Sequence, residues 1–217
     1  MKTKTALIVV ILLMAGALGA SLALYSALPD RVPTHWNLQG QVDGWGAKSF
    51  AAFLLPGVML LFLLLLVGGE WISPVNFKIE PFRSSYNYLM VICAALMGFL
   101  HALMLLAGLD PARDLGRWMV GGFFLFFAWL GNLLGKTRRN FWIGIRTPWT
   151  LASDAVWIAT HRLGARILYG VGLAGALLVA AGLSLVPCFV LLMAGLLVPV
   201  VYSFWLSKKL ERESTSS

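Results

Sequence analysis

The chain has 217 residues, 59% of them hydrophobic, and a mean hydropathy of +0.83. A soluble domain is roughly 45–50% apolar, so this composition argues against a water-soluble enzyme and for an integral membrane protein whose helices bury against lipid and one another. The formal charge of +8 first raises nucleic acid as a partner. In a membrane chain the same excess is a topology signal, and no direct nucleic-acid binding is expected.

Lys2 and Lys4 precede an apolar run over Ala6–Leu28. A charged start before such a run resembles a cleavable signal peptide, but a signal core is usually about 7–15 residues, and this run is longer. It is read as a retained first span. Residues 29–49 form a polar loop. Gln39-Gly40 and Asp43-Gly44 are turn signals, and Val32–Asn37 with Gln41–Trp45 predict a small hairpin, with Trp36 and Trp45 at headgroup level. His35 lies near Asp30 and Asp43 and is read as a solvated loop histidine or a metal ligand.

The second span covers about Phe50–Trp71, with Pro56 tolerated in its first turns or as a kink. A loop over residues 72–84 carries Lys78, Glu80 and Arg83. The third span runs over about Ser85–Leu109, the fourth over Arg117–Leu134. Residues 165–206 are almost free of polar side chains, too long for one span and right for two, with the break expected at Pro187. The Ser214–Ser217 tail is expected to fray. Cys93 and Cys188 sit inside apolar runs and read as free small hydrophobes, with no disulfide framework.

Six spans place both termini on one side. With that side cytoplasmic, thirteen cations lie inside (Lys2, Lys4, Lys78, Arg83, Lys136, Arg138, Arg139, Arg146, Arg162, Arg166, Lys208, Lys209, Arg212) and four outside (Arg31, Lys48, Arg113, Arg117). The positive-inside rule supports that orientation.

The longest polar interruption is Asn140-Phe-Trp-Ile-Gly-Ile-Arg-Thr-Pro-Trp149, continuing to Arg162. Six cations lie in and around it against one acid, Asp154, with Trp142, Trp149 and Trp157 interleaved. Basic residues among tryptophans between apolar runs describe a membrane-surface segment. Arg146-Thr147-Pro148 should be extended. Ser153 is a good N-cap, with Asp154 at the positive end of the following helix. That helix is expected to run to about Leu163 and stop at Gly164, a short interfacial amphipathic helix with Asp154, Trp157 and His161 on one face.

His161 with Asp154 and Trp157 reads as a lipid-boundary pair or as a catalytic or metal site. One His and one Asp make a poor zinc site, which needs three or four ligands. Arg146 is either a topology charge or a bidentate ligand for a phosphate or carboxylate. Gly144 and Pro148 beside it specify its backbone. His101, inside the third span, is a functional-site candidate by default or a neutral histidine bonding across helices. Asn132 is read as interhelical glue. HExxH, GxSxG and P-loop motifs are absent from the sequence, so no enzyme, metal or cofactor is expected.

Two segments resemble a known family. The Asn140–Arg162 string, with Gly131-Asn132 before it, is similar to the signature of the SdpI-like bacterial immunity proteins. Leu28-Pro-Asp-Arg-Val-Pro-Thr-His-Trp-Asn37, with Gly40, Asp43 and Trp45-Gly-Ala-Lys48, resembles a domain of unknown function that often precedes it. The resemblance implies a bacterial cytoplasmic-membrane protein, multi-pass with both termini cytoplasmic, that protects against a secreted membrane-active peptide toxin and in some members draws a cytoplasmic repressor to the membrane. Pro33, His35, Trp36, Asn37, Gly40 and Asp43 are then the toxin-facing loop. Asn140, Gly144, Arg146, Thr147, Pro148, Trp149, Trp157 and His161 are then the partner or signal segment. His101 and Asn132 remain intramembrane polar candidates. Rival readings are a small-solute or lipid transporter and a sensor of envelope stress.

The expected architecture is an all-α polytopic membrane bundle of about six transmembrane helices plus the short interfacial helix. Its expected parts are a two-helix unit over 1–71, a third helix with its loops over 72–116, and a three-helix SdpI-like region over 117–217 holding the Trp/Arg segment 136–164.

Overall fold

The computed structural model describes residues 1–74, 78–140 and 142–215. Residues 75–77 of the expected second loop, Phe141 of the polar string, and Ser216 and Ser217 of the tail lie outside these. Among the described residues six helices are long and apolar enough to cross a membrane: α1 (Thr3–Leu24), α2 (Lys48–Ile72), α3 (Arg83–Leu109), α4 (Gly116–Leu134), α6 (Asp154–Ala180) and α7 (Leu185–Thr215). The short α5 (Pro148–Ala152) precedes α6, and a two-stranded antiparallel hairpin, β1 (Arg31–Trp36) and β2 (Val42–Ala47), joins α1 to α2. The protein is a multi-pass membrane helix bundle. Helices dominate because lipid offers a backbone group no partner, so each span must close its own hydrogen bonds.

The helices pack as two sets of three. α1, α2 and α3 contact one another, α6 packs against α4 and α7, and α3 meets α4 at the seam between the sets. The α4–α6 contact is close because small residues line it. A Cβ on Gly131 would come 2.6 Å from the Tyr169 amide nitrogen, and one on Gly172 would come 2.7 Å from the Ala128 Cβ. Where lipid replaces water there is little hydrophobic drive between helices, so such close approach supplies the packing energy.

The chain alternates between two ends. At one, the hairpin lies over the start of α4 and α7: the Gly40 Cα and carbonyl sit against Gly116, and Leu185 is beside them. At the other, the Met1 amine meets Ser84, Asn87 donates from Nδ2 to the Met1 carbonyl at 3.1 Å, and Trp142 reaches Ser73. The termini thus share an end with the loops after α2 and α4. Glu70, Glu80 and Arg83 form an ion-paired group there.

Three expectations are corrected. The helix starting after Ser153 does not stop at Gly164 but continues to Ala180. Gly164 is buried and lets Leu134, Ile145 and Pro199 approach, and a Cβ there would sit 3.0–3.4 Å from them. A glycine in a helix costs only about 1 kcal/mol, while breaking the ladder before the apolar run would leave backbone groups unpaired in lipid. The last two spans divide at Ala181–Ser184, not at Pro187. Gly182 has φ +85°, and the amides of Gly182 and Leu183 bond back to the carbonyls of Val179 and Leu178, the paired closure of a helix C-terminus. Pro187 falls in the first turn of α7, where no N–H partner is needed. The tail is helical through Thr215, with Ser214 and Thr215 hydroxyls bonded to the Glu211 carbonyl.

Candidate functional site

The polar segment between α4 and α6 folds into a packed cap. α4 ends in a turn in which the Lys136 and Thr137 amides bond to the carbonyls of Leu133 and Leu134. Asn140 is buried and uses its whole amide. Its Oδ1 accepts from the amides of Trp142 and Ile143, both at 2.7 Å, and its Nδ2 donates to the carbonyls of Arg138 (2.7 Å) and Ile143 (3.0 Å). Asparagine suits this role because one short planar group offers two acceptor lone pairs and two donors. Ile143 is thereby driven into the core beside Leu133.

Gly144 follows with φ +132°, a region that side chains rarely adopt. It lies over the Trp157 and His161 rings, where a Cβ would collide. The turn brings the Ile145 amide to His161 Nε2 at 2.9 Å, while His161 Nδ1 lies 2.7 Å from the Trp157 carbonyl. Nε2 accepts and Nδ1–H donates, which assigns the neutral Nδ1–H form. The His161 ring stacks on Trp157 at 4.0 Å and 16°, and Trp157 Nε1 donates to the Thr137 carbonyl at 3.1 Å. Both side chains are essentially unexposed. This corrects the lipid-boundary reading of His161 and Trp157: loop 137–145 covers them. Asp154 does not join their face. It turns outward to Arg139 at 2.9 Å, and Arg139 also donates to the Leu151 carbonyl.

The second half of the cap is a threonine knot. Thr147 is extended and caps α5, its Oγ1 accepting from the Thr150 amide while Thr150 Oγ1 accepts from the Thr147 amide. Thr150 Oγ1 donates to the Ile145 carbonyl at 2.7 Å. Ser203 of α7 donates to the Val200 carbonyl, and its Oγ lies in hydrogen-bond contact with Thr147 Oγ1 at 3.0 Å. Pro148 occupies the first position of α5, where its lost N–H costs nothing. Trp149 lies edge-on against Phe204 of α7 at 5.0 Å. Trp142 docks the loop on the other helix set, through Ser73 and an edge contact with Tyr86 at 5.7 Å. Lys136, Arg138, Arg139, Arg146, Arg162 and Arg166 are all exposed around this cap.

Residues 136–203 match the SdpI/YfhL protein family, and residues 12–60 match the Domain of unknown function (DUF1648). A curated relative, the Immunity protein SdpI of Bacillus subtilis (strain 168), is 28% identical over 148 residues, covering 68% of this chain and 69% of the relative. No solved structure matches the chain. The SdpI/YfhL region begins at Lys136 and ends at Ser203, so it spans the cap, α6 and the part of α7 that holds the threonine knot.

The hairpin divides the other expected residues. Pro33 and Gly40 are buried, and Trp36 is half-buried beside Leu103, Ala107, Leu115 and Met119. Asn37 builds the turn, its Oδ1 accepting from the amides of Gln39 and Gln41 at 3.0 Å. His35 and Asp43 are exposed and paired through Nδ1. No cluster of three or more metal-ligating side chains occurs among the described residues.

The two intramembrane candidates lie apart. His101 is buried between α1, α2 and α3, with Nε2 at 2.9 Å from Ser21 Oγ and 3.2 Å from the Ala17 carbonyl. Ser21 donates to the Ala52 carbonyl, so Nε2–H is the shared donor: His101 ties α3 to α1, and Ser21 carries the link on to α2. Asn132 is not interhelical glue: it is exposed on α4 and accepts from Lys136 Nζ one turn on. Lys136, in the turn that closes α4, gives it a partner four residues on. The reading missed the residues that tie the cap to α7 and α2, Ser203, Phe204 and Ser73. They lie outside the polar string, and a lone serine in an apolar helix was the one available signal.

Proposed function

We propose that this membrane protein confers resistance to a secreted membrane-active peptide toxin and passes a signal to its cytoplasmic end. The observation that carries the reading is the SdpI/YfhL match, which falls on a cap in which Asn140, Thr150 and His161 are buried and hydrogen-bonded. The cap end is taken as cytoplasmic because thirteen of the seventeen cations belong to it. The hairpin then faces outward, and the paired His35 and Asp43 are among its accessible polar groups.

The two ends share α4 and α7. The hairpin seats Gly40 against Gly116 and Leu185, at the outer starts of these helices. Their other ends hold the cap through Thr137 and Ser203. Toxin on the hairpin that favours one packing of α4 and α7 over another would loosen or tighten the cap, because a ligand shifts such an equilibrium by its differential affinity for the two states. In this reading the exposed Arg146 and the half-buried Trp149, which packs on Phe204, are the groups that meet a soluble partner such as a repressor.

The test is survival of a toxin-sensitive bacterium expressing the intact chain, titrated with a peptide toxin of this class, beside Arg146→Ala and Trp149→Ala at matched abundance. Intact chain should raise survival and both variants should weaken it. No protection against any such toxin would overturn the reading, and full activity of both variants would remove the cap surface from it.

A further inference from the structure

We infer that the seam between the two helix sets holds one acyl chain of an anionic phospholipid, with its phosphate on Arg117. A groove of about 600 Å³ opens between α3, α4 and α6, within the usual range of roughly 300–1,000 Å³ for a small-molecule site. Its floor is made of small residues, Gly121, Gly122 and Ala176 among them, and its walls of Phe99, Trp118 and Trp129. Every lining residue belongs to a helix of membrane-spanning length, so the molecules that reach the groove are lipids. From Arg117 to Trp129 along α4 the slot is about 18 Å long at a rise of 1.5 Å per residue, the scale of a long acyl chain.

The one charged residue in the lining is Arg117, at the hairpin end. Its Nη1 donates to the Leu183 carbonyl in the α6–α7 turn at 2.7 Å, which fixes the guanidinium at the mouth. Among the described residues no carboxylate forms an ion pair with it, although Arg113 beside it is paired with Asp110. A half-buried guanidinium with free donors, at the end of an apolar slot, is complementary to a phosphodiester at the headgroup level, where Arg offers a planar fork. Trp118 next to it is 66% exposed and suits the same interfacial depth. The occupant bridges α3 of one set and α4 and α6 of the other, so it acts on the seam that joins them.

The test uses the full chain purified in detergent and native mass spectrometry with added phosphatidylglycerol or phosphatidylcholine of identical acyl chains. The intact chain should retain one phosphatidylglycerol, with phosphatidylcholine, whose choline cation cancels the phosphate charge, held about fivefold more weakly, the worth of one cation beside a net-anionic headgroup. Arg117→Gln keeps a donor for the Leu183 carbonyl and should abolish the preference. Gly121→Leu should fill the slot and lose both lipids. A Cβ at Gly121 meets only a Val179 methyl, at 3.8 Å, so the fold tolerates it, as an unchanged Tm without added lipid will show. Equal retention of the two lipids by the intact chain, or retention by Gly121→Leu equal to that of the intact chain, would overturn the inference. Neither result bears on toxin resistance, which the survival assay reads separately.

Discussion

Replacing Asn140 tests whether the cap is a built structure or a coil of topology charges. Asn140→Ala removes four hydrogen bonds at once, and two of them, to the Ile143 amide and carbonyl, lie in the buried interior. A buried backbone group left unpaired costs roughly 1–3 kcal/mol, so the two together cost on the order of 2–6 kcal/mol. For a chain of this size each kcal/mol moves Tm by roughly 2–4 °C, which places the drop at about 4 °C or more. Asn140→Asp keeps the two N–H bonds but turns a carboxylate oxygen toward the Arg138 and Ile143 carbonyls, so it should fall at least as far. Thermal unfolding in detergent reads the shift, and limited tryptic digestion reads its location, because Lys136, Arg138 and Arg139 flank the cap and should become cleavable in the variants. A Tm within about 1 °C of wild type for both variants, with an unchanged digest, would refute the account of the cap as a hydrogen-bonded plug.

Gly144→Ala places a Cβ at φ +132° and within 3.0 Å of the Trp157 ring, and it should cost about 1–3 kcal/mol from the backbone alone while unstacking Trp157 from His161. Near-ultraviolet circular dichroism and Tm both unchanged would contradict this. Gly172→Leu should drive α4 from α6, since the new Cβ would lie 2.7 Å from that of Ala128, whereas Gly170→Leu meets nothing within 4 Å. Size-exclusion chromatography in detergent should show loss of the folded peak for the first and not the second, and equal behaviour would remove the close α4–α6 packing as a source of stability.

The sequence by itself determined the spans. Apolar runs separated by polar loops place six helices, because lipid leaves the backbone no other way to close its hydrogen bonds. The hairpin turn was legible from Gln39-Gly40, and the Ser153 cap from local chemistry, since turn and cap geometries depend on a few adjacent residues; Asp43-Gly44 reads as a second turn but lies inside β2, paired across to β1. Tertiary structure alone decided what continues and what is covered. Gly164 reads as a stop, yet α6 runs through it, because the stop is local and the packing of Leu134, Ile145 and Pro199 is not. Trp157 and His161 carry the pattern of a surface pair at helical spacing. They are buried because Asn140 folds a loop over them from a different part of the chain, and the Ile145 amide finds His161 across sixteen residues. Helical periodicity states which side chains share a face. Which face is then covered follows from contacts distant in sequence, and only the folded chain contains those.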